Sequence, residues 1–145
     1  MLVALPARPS GSCQGGHSKT PRVALARGEE TTTAALADAV GLFRALGIAV
    51  SVIDDVPGMV VARTLAMLAN EGADAVLQGV ADAAGVDTAM KLGLSHPEGP
   101  LETADRIGIM LMNAILVNLQ GHTGDDRYRQ SLLLQRKVWS DGAFR

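Results

Sequence analysis

Between Val61 and Gly79 the apolar positions fall at steps of three and four: Val61, Leu65, Leu68, Gly72, Val76 and Gly79. That period puts them on one helical face, with Arg63, Asn70, Asp74 and Gln78 on a different side. The stretch is rich in Ala, Leu and Met, holds no proline, and follows a turn signature that ends in Pro57-Gly58. It predicts a long packing helix at the centre of its domain. Two of the stripe positions are glycines, which weaken a helix but let another backbone approach closely.

The same patterning orders the rest of the chain. Val23 to Ala26 form a short β-like run, and Thr31 to Thr33 offer an N-cap for a helix over Ala34–Leu46. Gly47 ends that helix, and Ile48 to Ile53 is a nearly alternating, β-branched strand. A sheet this small cannot stand alone and must dock on something. Beyond the long helix, Asp82 looks like the N-cap of a helix over Ala83–Leu92. SHPEGP is a turn that sets Pro100 at a first helical position, where its missing N–H costs nothing. Leu101–Ile107 and Ile109–Gln120 give one or two more helices, GHTGDDRYRQ a polar connection, and Leu132–Trp139 a short amphipathic helix. The expected fold is mainly α: a flexible tail over 1–21, a small strand–helix–strand piece over 22–56, and a domain of about five helices over 57–145.

Composition narrows this picture. Apolar residues make up 48% of the 145 positions but aromatics only 3%, so the core must be built from Ala, Val, Leu, Ile and Met. A formal net charge of −2 without a basic cluster argues against nucleic acid as a partner. No apolar run approaches the roughly 18 residues of a membrane span, so no membrane partner is expected. The single cysteine, Cys13, cannot form an internal disulfide, which fits a cytoplasmic setting. The opening MLVALPARPSGSC is interrupted by Pro6 and Pro9 and reads as a weak strand or tail rather than a signal peptide.

The search for chemistry returns little. No GxGxxG turn follows the first strand, where RGEE stands instead. His17, His96 and His122 lie in loops or tails, and no His/Cys/Asp/Glu cluster has metal-ligand spacing. Glu29-Glu30, Asp54-Asp55 and Asp125-Asp126 are adjacent pairs that diverge on any regular element and read as solvated charge. Glu71 and Asp74 lie within one helical turn and read as a solvent-facing or interfacial edge. No catalytic, cofactor-binding or metal-ligating residue is predicted, although a small enzyme built on His96 and Glu98 is a third reading.

The segments DVPGMVVAR, VDTAMKLGLSHPEGPLETADRIG and GDDRYRQSLLLQRKV resemble the C-terminal domain of 3-hydroxyacyl-CoA dehydrogenases. The upstream strand–helix–strand ending in IDDVPG is similar to the last part of that family's nucleotide-binding domain. The resemblance runs over roughly residues 23–140 and is nearest to the second, duplicated C-terminal domain of bacterial 3-hydroxybutyryl-CoA dehydrogenases. It implies an oxidoreductase family using NAD, with this domain forming a dimer contact and one wall of the acyl-CoA cleft.

The departures bear on activity. The family's PGFIVNR carries a catalytic asparagine where PGMVVAR has Ala62, and an alanine methyl cannot hydrogen-bond a reacting oxygen. The family's catalytic histidine and glutamate belong to a nucleotide-binding half without counterpart here, and its GFY-type motif is replaced by DGAFR. The expectation is therefore a non-catalytic portion holding no cofactor of its own. Its expected partners are a second copy, through Val61, Leu65, Leu68, Gly72, Val76 and Ile115, and acyl-CoA or a catalytic nucleotide-binding domain. The rival expectation is an interaction module that binds neither acyl-CoA nor NAD.

Overall fold

The computed structural model describes residues 21–145, so the tail expected over 1–21 lies, Pro21 apart, outside the described residues. The chain divides into two compact units, one ending at Val56 and one comprising Pro57–Arg145.

In the first unit, β1 (Arg22–Arg27) and β2 (Ala49–Asp54) pair in parallel, with Arg22 opposite Ala49 and Arg27 opposite Asp54. A parallel pair needs a crossover, and α1 (Thr33–Ala45) supplies it. Strand alternation turns Val23 and Leu25 inward. Thr32 starts α1 as anticipated, its side-chain oxygen accepting the Ala35 N–H at 3.2 Å.

The second unit consists of α2 (Val61–Leu77), α3 (Ala83–Gly93), α4 (Pro100–Ile107), α5 (Ile109–Thr123), a 3-10 turn (Asp126–Tyr128) and α6 (Leu132–Trp139). The fold is mainly α, as the periodicity indicated. The long helix α2 is its axis, packed against α3, α4, α5 and α6. Ala66, Ala69 and Ala73 of α2 meet Leu101 and Ala104 of α4, Ile109, Met112 and Leu116 of α5, and Leu134 of α6. Alanine on the central helix lets the others approach, and leucine and methionine on them fill the space.

Two details differ from the periodic reading. The residues of α2 that are buried are Ala66, Ala69, Asn70, Gly72, Ala73 and Asp74, so Asn70 and Asp74 are enclosed rather than set away from the packing face. Asp74 is therefore no solvent-facing edge. A helix packed against four others buries more than one narrow stripe, and a stripe drawn through the largest apolar residues passes over the alanines that make the closest contacts. The second difference is Gly72. A Cβ there would sit 3.3 Å from Leu101 Cδ2 and 3.4 Å from Val86 Cγ1, so its bare backbone admits α3 and α4 of the same chain. Gly72→Leu should accordingly destabilise the unit itself, by about 1–3 kcal/mol through overpacking. An unchanged urea midpoint would show that α4 has room to move aside.

Gly108 separates α4 from α5 with φ 117° and ψ 118°, a conformation side chains resist, so the apolar stretch 101–120 becomes two helices rather than one. Among the described residues no helix is long and apolar enough to cross a membrane. Helix α5 is nonetheless apolar on its outer side, where Met110, Leu111 and Val117 are 66%, 52% and 47% exposed.

Candidate functional site

The start of α2 carries the residues that the sequence singled out. Gly58 (φ 71°) and Met59 (φ 47°) are both left-handed, and the Gly58 carbonyl accepts the Arg63 N–H at 3.0 Å. Met59 pays for that conformation with a side chain present, a local strain beside position 62. Ala62 follows in the first turn, half-buried and without a polar atom. Arg63 turns the other way: its guanidinium lies 5.6 Å from the centre of the Tyr128 ring.

Two turns further along, α2 grips the segment that leads into α6. Asn70, 1% exposed, donates from Nδ2 to the Arg129 carbonyl at 2.9 Å and accepts the Ser131 N–H on Oδ1 at 2.8 Å. Asp74 holds the Arg129 guanidinium at 3.0 Å. The expected polar connection thus contains a buried Tyr128 and a splint to the central helix.

A second polar device explains the DTAMKLG and PEGP blocks. Asp87 on α3 is 0% exposed, and its two carboxylate oxygens accept the N–H groups of Leu101 (2.8 Å) and Glu102 (3.1 Å) in the first turn of α4. The N-cap of α4 is Gly99, whose own position cannot supply a side-chain acceptor, so α3 provides it from 14 residues away. The helix N-terminus, carrying partial positive charge, favours that carboxylate. A Cβ on Gly99 would collide with the Asp87 side chain. Arg145 adds an ion pair to Asp87 at 3.0 Å, and Asp105 at the other end of α4 accepts the Phe144 N–H at 2.9 Å.

Around this cap lie the remaining ionisable groups. Lys91 donates to Glu102 at 3.1 Å, and that hydrogen bond holds the Glu102 carboxyl below its ordinary range. Glu98 receives Arg106 through Nε and Nη2 at 2.8 and 2.6 Å and the Thr103 hydroxyl at 3.0 Å; this hydrogen bonding raises the Arg106 pKa further. Glu98 is thus a structural clasp, and His96, half-buried one turn away, is attached through its backbone N–H to Met90 O at 3.3 Å. Asp82 caps α3 by accepting the Gly85 N–H at 2.7 Å, and Asp125 accepts the Arg127 N–H at 3.0 Å.

The six residues expected at an interface scatter. Val61 is exposed, Leu65, Val76 and Ile115 are half-buried against the core, Leu68 lines a surface cavity, and Gly72 is enclosed. Asp87, Asn70 and Tyr128 carry no role in the sequence reading; a signal existed for Asp87 and Tyr128, which lie inside segments shared with the dehydrogenase family, and none for Asn70.

Comparison with known proteins fits this architecture. Residues 58–143 match the family described as the 3-hydroxyacyl-CoA dehydrogenase C-terminal domain, and residues 15–57 match a 3-hydroxybutyryl-CoA dehydrogenase reduced Rossmann-fold domain. The chain belongs to the 3-hydroxyacyl-CoA dehydrogenase family, through its C-terminal domain. It is 46% identical over 91 residues to the 3-hydroxyadipyl-CoA dehydrogenase of Escherichia coli K12, covering 62% of this chain and 19% of that protein. It is 36% identical over 116 residues to a probable 3-hydroxybutyryl-CoA dehydrogenase of Bacillus subtilis, covering 80% of this chain and 40% of the relative. The crystal structure of (S)-3-hydroxybutyryl-CoA dehydrogenase from Ralstonia eutropha superposes with a TM-score of 0.78 at 33% identity, over 85% of this chain and 44% of that one. The chain therefore spans less than half the length of each of these relatives.

Proposed function

We propose that this chain is the C-terminal portion of an NAD-dependent 3-hydroxyacyl-CoA dehydrogenase of the 3-hydroxybutyryl type, contributing assembly and one wall of an acyl-CoA cleft without performing hydride transfer. The observation that carries the reading is Ala62, a methyl at the position where the family resemblance calls for a hydrogen-bonding asparagine. The α/β unit points the same way. The turn after β1 lacks a glycine-rich cradle, exposes Glu29 and Glu30, and uses the first-turn N–H of α1 to satisfy Thr32. Those residues do not fit a dinucleotide pyrophosphate, which needs free N–H groups and no adjacent carboxylates.

Assembly rests on the outer side of α5. Three large apolar side chains there, with Val61 on α2, are the kind of surface that closed two-fold dimers cover. The working assembly would be a homodimer in the cytoplasm, joined or served by a catalytic nucleotide-binding domain and acting in acyl-CoA oxidation. A module that binds neither acyl-CoA nor NAD is the rival reading, and calorimetric titration with acyl-CoA separates the two.

Purified chain given NADH and acetoacetyl-CoA should show no turnover above a protein-free control, and sedimentation equilibrium at micromolar concentration should return the dimer mass. Protein-dependent NADH consumption overturns the non-catalytic half of the proposal; a single species at monomer mass overturns the assembly half.

A further inference from the structure

Between α2 and the Asp126–Tyr128 turn lies a cavity of about 300 Å3, at the small end of the range for small-molecule sites, roughly 300–1,000 Å3. Met67, Leu68 and Tyr128 give it apolar walls, and Arg63, Arg127 and Glu71 give it charge. Two cations thus face one carboxylate. Arg127 already has an acid, Asp125, at 2.7 Å. Arg63 does not. Among the described residues no carboxylate pairs with its guanidinium, and its Nε is buried without a hydrogen-bond partner. Its contact with the face of Tyr128 compensates the charge in part but accepts no N–H in the guanidinium plane.

We propose that this cavity binds a small carboxylate on an apolar stem, its anionic end accepting from the Arg63 guanidinium and its stem lying against Met67, Leu68 and Tyr128. The planar fork of a guanidinium matches a planar carboxylate. A cation is disfavoured because Arg63 already covers the Tyr128 ring. Free phosphate would leave the apolar walls unused and would bring two charges close to Glu71. The inference does not depend on the dehydrogenase reading, since every group it uses belongs to α2 and the adjoining turn.

The test is a titration of the full chain with hexanoate and with hexan-1-ol, followed by NMR shifts of residues beside Tyr128. Hexanoate should saturate with a Kd on the order of 1 mM, and hexan-1-ol should bind about tenfold more weakly or worse. Arg63→Met should abolish the difference between the two probes. Because Arg63 also packs on Tyr128, that variant is paired with Glu71→Gln, an exposed site, which should tighten hexanoate by about twofold to fivefold. Equal binding of acid and alcohol overturns the proposal, as does an unchanged Kd in Glu71→Gln. Hexanoate binding that disappears when the protein concentration is raised would mean that a second copy fills the cavity, and that also overturns it.

Discussion

Asp87→Ala should lower the stability of the helical unit by about 2–5 kcal/mol, because it leaves a buried and a part-buried N–H group of α4 without an acceptor and removes the helix cap. The carboxylate is fully enclosed and accepts from Leu101 and Glu102, so no water can replace it without reopening the α3–α4 contact. The half-exposed Arg145 adds little of its own, since it can return to solvent. Gly99→Ala attacks the same contact from the other side by placing a methyl where Asp87 sits, and overpacking there should cost about 1–3 kcal/mol or more. The two changes should not add. Asp87→Ala removes the carboxyl group that a Gly99 methyl would strike but keeps the Cβ it also meets, so the clash is only partly relieved and the double variant should be only somewhat more stable than the sum of the singles implies. Urea unfolding followed by circular dichroism measures all three. A loss below about 0.5 kcal/mol for Asp87→Ala, the range of ordinary surface changes, would mean that the cap contributes nothing.

Asn70→Ala should be nearly as severe, at about 2–4 kcal/mol, since it strands the Ser131 N–H and the Arg129 carbonyl and empties space beside the core. The damage should appear first in α6, whose entry Asn70 fixes, and the fluorescence of Trp139 on that helix reports it. Arg129→Met is the control. Its side chain is 62% exposed, and loss of its pair with Asp74 should cost less than about 1 kcal/mol. Equal effects of the two substitutions would show that the ion pair, rather than the amide, secures the turn.

Local chemistry was readable in the sequence, and distant polar chemistry was not. Thr32, Asp82 and Pro100 stand at helix starts because each acts within one turn of itself, a spacing that a linear reading sees. Asp87 lies within a helical run and looks like any surface acid until α4 is folded against it. Asn70 and Asp74 look solvent-facing because their polarity sets them apart from the apolar stripe, yet their partners arrive from 55 to 61 residues away. The resemblance marked the blocks containing Asp87, Gly99 and Tyr128 as a unit without saying what joins them. The cavity at Arg63 left no trace at all in the periodicity, since it forms only when the Asp126–Tyr128 turn closes over α2.

Helix α4 has a consequence for how the unit comes apart. At eight residues it is shorter than the roughly 12–15 needed for a helix to be even marginally stable in water. Its first turn is completed by α3, and the residue near its last turn, Asp105, is tied to Phe144 and Arg145. It therefore has no independent life: it exists as a helix only while both of those segments are in place, and each of them loses a partner when it melts. Partial unfolding that spares α4 but releases α3 is thereby disfavoured, which makes this short helix a source of cooperativity, coupling α3 to the end of the chain at Phe144 and Arg145.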